Sequence, residues 1–253
     1  MKIVSICTSV SGKVRTNNED NLFINGTILP ENHGDLQEFI CSEQEDSQMT
    51  LLAVMDGVGG SYCGERASYE AAMEMQKAFR KINVCDNRKR FLSDLCLTMN
   101  EKVCQLQENY MASMGTTVSA LLFENGAVTV CNLGDSPIFA VRDGRISRIH
   151  EEHTNRRFLE KQKINRKPVL TQCLGIPEEE MVICPYIHSY EIKDHDWYLI
   201  CSDGLTDMVA DEDILTIIQN EKEHREKVQD LIDRAMENGG KDNTTAILIH
   251  IIK

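Results

Sequence analysis

Apolar residues along this chain fall into two rhythms. Short runs bounded by turn residues recur at 51–55 (LLAVM), 117–123, 128–133, 137–142, 197–202 and 245–252. Runs of that length, closed by Gly, Asn or Asp, predict strands. Asn125-Gly126 lies between two of them, and Asp143-Gly144 lies between FAVR and RISRI. Both dipeptides predict hairpin turns, because each tolerates the positive φ that a two-residue connection requires.

The second rhythm is helical. Between Glu65 and Phe79, the residues Ala67, Ala71, Met75 and Ala78 form one stripe. Between Arg88 and Tyr110, the residues Leu92, Leu95, Met99, Val103 and Leu106 form another. Spacings of three and four put each set on a single helix face, so each helix should pack on a sheet. Further helices are predicted over 211–220, opened by Asp211 as N-cap, and over 224–238, closed by Gly239. The polar, acidic stretch 27–50 predicts a long exposed excursion before the strand at 51. Hairpin strands alternating with helix pairs predict antiparallel sheets with helices outside them, an α+β arrangement. No internal repeat and no Pro- or Ser-rich linker divides the 253 residues.

Charge narrows the function. Lys and Arg number 27 against 40 Asp and Glu, a formal net charge of −13. Such a surface repels nucleic acid and anionic membranes. It can still receive a phosphorylated substrate if metal ions reverse the local field. The 10 cysteines include no CxxC pair, and Cys7, Cys131 and Cys201 lie inside apolar runs. That pattern predicts reduced core thiols, with neither a disulfide framework nor a zinc site. The opening MKIVSICTSVSG does not read as a signal peptide, and no apolar run approaches the ~20 residues that span a bilayer. A cytoplasmic protein without membrane or nucleic-acid partners is expected.

Carboxylates stand where strands end. Asp56 follows LLAVM, Asp203 follows WYLICS, Asp242 precedes the final strand, and Asp135 follows VCNL in Gly134-Asp135-Ser136. Hard divalent cations need oxygen donors held on rigid elements in this way. Asp-Gly is also an ordinary turn dipeptide, as at Asp143-Gly144. Taken singly, each Asp is better read as such a turn. The combination favours metal, since neither Asp56 nor Asp203 opens a two-residue hairpin. Other motifs fail. Gly57-Val58-Gly59-Gly60 has Tyr62 where a dinucleotide fingerprint needs its third glycine, and the histidines of His150-Glu151-Glu152-His153 are three apart, not four.

Read in order, the chain contains RTNNED (15–20), MDGVGG (55–60), MGTT (114–117), NLGDS (132–136), EEHT (151–154), LTQCLG (170–175), CSDGLTD (201–207) and GGKDNTT (239–245). The series resembles the type 2C, metal-dependent protein serine/threonine phosphatases, particularly their compact bacterial members, over nearly the whole chain. The resemblance implies one catalytic domain over 1–253. Its fold would be a four-layer α/β/β/α sandwich, two antiparallel sheets flanked by helix pairs. It implies two core Mn²⁺ or Mg²⁺ ions and a third, weaker one. By motif position Asp56 would bridge the core ions, Asp203 and Asp242 would complete the first, and the Gly57 carbonyl would serve the second. Glu19 and Asp20 would hold metal-bound waters, Asp135 the third ion, and Arg15 the substrate phosphate. The implied partners are phosphoprotein substrates and, as a candidate, a cognate serine/threonine kinase; a monomer is expected.

The chemistry is intelligible without the family. A phosphate monoester dianion repels hydroxide, so its oxygens must be neutralised and a nucleophile made at neutral pH. Two cations sharing a water do both, and an arginine adds a bidentate fork. Three positions depart from the family pattern. Val58 replaces a His proposed as general acid in some eukaryotic members, Glu152 replaces the usual Asp before His-Thr, and the flap 155–168 (NRRFLEKQKINRKP) is short. That flap is basic and is expected beside the metal site, where it would steer acidic phosphoprotein segments. A catalytically silent binding module and a two-metal nuclease or phosphodiesterase are the competing readings. All three metal Asp positions are filled, which disfavours the first, and the lack of a basic stripe disfavours the second.

Overall fold

The computed structural model describes all residues except 59–62 and 83–86. Its strands are β1 (Lys2–Val10), β2 (Asn21–Ile24), β3 (Thr27–Ile28), β4 (Ile40–Glu45), β5 (Thr50–Met55), β6 (Gly57–Val58), β7 (Gly115–Thr116), β8 (Val118–Glu124), β9 (Ala127–Leu133), β10 (Ile138–Arg142), β11 (Arg145–Arg148), β12 (Tyr186–Glu191), β13 (Trp197–Cys201) and β14 (Thr244–Ile252). Its helices are α1 (Gly64–Phe79), α2 (Arg88–Tyr110), α3 (Arg156–Gln162), α4 (Asp203–Thr206), α5 (Asp211–Gln219) and α6 (His224–Glu237). One six-stranded sheet runs β11-β10-β13-β14-β1-β4, and the other β12-β9-β8-β5-β2-β3. Every pairing is antiparallel.

Period-two alternation sorts the side chains into three cores. On β14, Ile247, Ile249 and Ile251 point between the sheets, while Ala246 and Leu248 point toward α5 and α6. On β5, Leu52 and Val54 enter the central core, while Leu51, Ala53 and Met55 meet α1 and α2. Both central strands are therefore covered on both faces, which is why their sequence reads as an unbroken apolar run. Burying each such Leu or Ile contributes roughly 1.5–3 kcal/mol. The order helix pair, sheet, sheet, helix pair is the expected four-layer sandwich. Both predicted hairpins form, with Asn125 and Gly126 at left-handed φ values of 50 and 79, and Asp143 and Gly144 at 49 and 76.

Two expectations are corrected. The stretch 27–50 is not simply an excursion: it supplies β3 and then β4, which pairs with β1 as an edge strand. An edge strand bonds on one side only and can stay polar. Ile40 and Leu36 anchor it on the central core. Asp211 is not an N-cap: Ala210 takes that position and Asp211 begins the first turn of α5. Its carboxylate there accepts from Arg148 at 3.1 Å and lies at the positive end of the helix dipole. The described cysteines are free, and Cys7, Cys131 and Cys201 are buried. No described helix is long and apolar enough to cross a membrane.

Candidate metal centre

Antiparallel register gathers the carboxylates. Asn21 pairs with Met55, so Asp20 before β2 and Asp56 after β5 meet at one edge of their sheet. Cys201 pairs with Ala246, so Asp203 after β13 and Asp242 before β14 meet at the matching edge of the other. Asp135, just past β9, lies at the same end. Arg15, Glu19, Asp56, Gly57, Asp135, Asp203 and Asp242 line one cleft of ≈ 670 Å³. Asp20 lies beneath it, buried. Gly59 and Gly60 of the MDGVGG motif fall outside the described residues.

The backbone around these groups is tied down. Asp56 donates its amide to the Thr117 hydroxyl at 3.0 Å, and its carbonyl accepts from Thr116 Oγ1 at 2.9 Å. The Glu19 amide donates to Asn243 Oδ1 at 2.9 Å, while Asn243 Nδ2 donates to the carbonyls of Ser11 and Asn17. Ser202 and Thr245 hydroxyls donate to Asp20 Oδ2 at 2.8 and 2.7 Å. A Cβ on Gly57 would fall on the carbonyls of Glu19 and Gly64, and one on Gly204 would fall on that of Asn243. These glycines permit close backbone approach and have no left-handed φ, unlike Gly144 of the hairpin.

Burial and mutual repulsion dominate the electrostatics. Burial, then Asp20 and Asp203, holds the Asp56 carboxyl well above the usual range. Burial pushes Asp20 up to about 7 against the pull of its two hydroxyl donors, and pushes Asp135 to about 7, with Asp203 adding to it. Asp203 is raised by burial although Lys167 opposes the shift. Glu19 is raised by burial and by Glu65. So many carboxylates around one cleft are costly unless positive charge compensates them.

The donor set fits hard divalent cations. It is all oxygen, and Asp20 Oδ1 is buried without a partner. Among the described residues no three of these carboxylates close on one point as direct donors. Two are turned toward side-chain cations instead: Asp242 Oδ2 accepts from Arg15 Nη2 at 2.8 Å, and Asp203 Oδ2 from Lys167 Nζ at 2.9 Å. A small divalent ion that keeps several waters needs only one or two protein carboxylates, so the arrangement remains compatible with it. His150 and His153, by contrast, serve the backbone: their Nδ1 atoms accept from the amides of Ile138 and Gly134, both at 3.2 Å.

Sequence reasoning does not reach five residues of this site. Ser202, Thr245 and Asn243, which fix Asp20 and Glu19, lie inside the quoted motifs without a role of their own. Their hydroxyl and amide types beside each Asp were the available signal. Lys167 and its partner Asp207 had none, because 36 residues separate Lys167 from Asp203.

The family model for protein phosphatase 2C matches residues 36–248. The serine/threonine phosphatase stp of Listeria monocytogenes is 25% identical over 252 residues, covering 94% of this chain and 92% of its own. PstP, a serine/threonine protein phosphatase of Mycobacterium tuberculosis, is 27% identical over 250 residues, which are 95% of this chain and 43% of that longer one. The PstP catalytic domain in complex with two manganese ions superposes with a TM-score of 0.80 at 26% identity, covering 100% of both chains. With a family model spanning most of the chain and a shared four-layer sandwich, this protein belongs to the protein phosphatase 2C family.

Proposed function

We propose that this chain is a metal-dependent protein serine/threonine phosphatase, with residues 1–253 serving one catalytic site. The observation that carries the reading is the convergence of Asp20, Asp56, Asp203 and Asp242 at one end of the sandwich, with too few side-chain cations to balance them. Asp56, Asp203, Asp242 and the Gly57 carbonyl would hold two Mn²⁺ or Mg²⁺ ions, and Glu19 and Asp20 would order water around them. When bound, the ions would supply neutralising charge for the phosphoryl oxygens and lower the pKa of the attacking water.

The chain's own residues do the rest. Arg15 stands at the rim, half exposed and held by Asp242, where its remaining N–H groups can fork onto a phosphate. Thr117 and Thr116 fix the strand end bearing Asp56, so its carboxylate keeps its aim without reorganisation. Ser202 and Thr245 hold one oxygen of Asp20 and leave the other free to accept from water. A side chain at position 58 cannot protonate the leaving alkoxide, since Val58 carries no proton donor; water or another group must supply that proton. The cleft is open, as a phosphorylated loop of a protein requires. We propose phosphoproteins as substrates and a cognate serine/threonine kinase as the enzyme that supplies them.

A phosphothreonine peptide and a bis-ester phosphate, each offered with Mn²⁺, separate this reading from a phosphodiesterase. The monoester should be turned over much the faster. Preference for the bis-ester would overturn the assignment.

A further inference from the structure

Lys167 stands near the end of the flap and reaches back to the metal centre. Its Nζ donates to Asp203 Oδ2 at 2.9 Å and to Asp207 Oδ2 at 2.6 Å. These residues line a side pocket of ≈ 380 Å³, and Asp135 and Asp203 form the wall it shares with the main cleft.

The two cavities differ in charge balance. Among the described residues, the main cleft carries the carboxylates of Glu19, Asp56, Asp135, Glu180, Asp203 and Asp242, with Arg15 near Asp242 as the cation. The side pocket is neutralised by the chain itself. Arg148 and Arg156 hold Glu152 at 2.6 and 2.9 Å, and Lys167 holds Asp203 and Asp207. Positive charge is in short supply only in the main cleft.

We propose that Lys167 is a positioning residue that serves as the resident cation of the Asp203–Asp207 lobe, so that no divalent ion binds on the Asp135 side and the protein holds two ions in place of three. An ammonium suits the place: it is a compact point charge with three donors, and it takes one oxygen each of Asp203 and Asp207, which would otherwise be open to a cation in the pocket that Asp135 also lines. The flap thereby sets the number of ions as well as bordering the cleft. This rests on the metal-dependent phosphatase reading above.

Metal-free protein equilibrated with excess Mn²⁺, followed by counting of bound manganese per chain, tests it. Wild type should bind two ions, Lys167→Met three, and Lys167→Arg two. The Lys167 side chain is 59% exposed, so its replacement leaves the cores intact, which equal urea midpoints for metal-free variant and wild type would verify. A count in Lys167→Met equal to that of wild type overturns the proposal, as does a wild type that already binds three. A wild type that binds no manganese defeats the phosphatase reading itself and is recognised by that zero.

Discussion

Asp203 has one oxygen committed to Lys167 and sits at the end of a strand whose side chains are buried on both faces. Its backbone is thus held by the fold and its carboxylate is free of any structural duty in the cores. Asp203→Asn should therefore keep the fold, with an unfolding free energy from urea titration within about 0.5 kcal/mol of wild type, the range of substitutions away from core features. Turnover of phosphopeptide should fall by on the order of 100-fold or more, because a neutral amide is a poor ligand for a hard cation. Wild-type kcat/KM in this variant would remove Asp203 from the site. At this scale the sequence was legible where a residue's neighbours carried the message. Asp56-Gly57, Asp203-Gly204 and Asp143-Gly144 look alike as dipeptides, and the apolar run before each did not by itself distinguish turn from site. The structure separates them physically: Gly144 has φ +76, whereas Gly57 and Gly204 are glycines because a carbonyl from another segment, Glu19 or Gly64 in the one case and Asn243 in the other, occupies the space of a Cβ. That contact joins residues 39 positions apart in the case of Gly204 and Asn243, so no local pattern records it.

Among the elements, the flap best shows what local reading can and cannot give. Its basic composition was plain, and so was its place between Thr154 and Val169. Its short helix α3 and its pinched neck were not. The neck closes through the Thr154–Leu170 bridge and through Asn155, whose amide donates to the Val169 carbonyl at 3.1 Å and whose side chain accepts from the Val169 amide at 2.9 Å. Leu159 is buried and anchors α3, while Arg157, Lys161 and Lys163 stay exposed. Exposed charges that make no contact with the reacting groups act on approach, with little effect on chemistry. Neutralising Arg156, Arg157, Lys161 and Lys163 together should lower kcat/KM for an acidic phosphopeptide, several-fold at low salt and less at high salt. A small aryl phosphate should be hydrolysed almost as before. Equal losses for both substrates, or a loss independent of salt, would show that the flap does not steer. The edge strand β4 illustrates the opposite failure: an edge needs few apolar residues, so IleCysSerGluGlnGlu carried too weak an alternation to be read as a strand.

For the whole molecule, charge and burial set how stability and function depend on conditions. His150 is largely enclosed beside Arg148, Glu152 and His153, and burial pulls it down to about 4. The folded state keeps this ring neutral while an unfolded chain protonates it near 6.5. Its contribution is complete above pH 6.5 and is lost as pH falls toward 4. Carboxylates such as Asp20 and Asp135, raised in the metal-free protein, titrate in the opposite sense, so the informative quantity is wild type minus variant. Between pH 7.5 and 5 metal-free wild type should lose on the order of 1–2 kcal/mol more stability than His150→Gln, read from urea midpoints; equal losses would contradict this. The layers themselves were legible because two central strands and two long helices carry strong periods. The convergence of the Asp residues was not visible in any one segment, since it follows from antiparallel register between strands up to 40 residues and more apart, Cys201 against Ala246 among them. That convergence is the centre of the account, and hydrolysis of a phosphothreonine peptide by the metal-free protein, with Mn²⁺, Mg²⁺ or EDTA added, tests it most directly. Turnover should appear with Mn²⁺ or Mg²⁺, vanish with EDTA, and return when the ion is restored in excess; hydrolysis that persists undiminished in EDTA, or none with either ion, would contradict it.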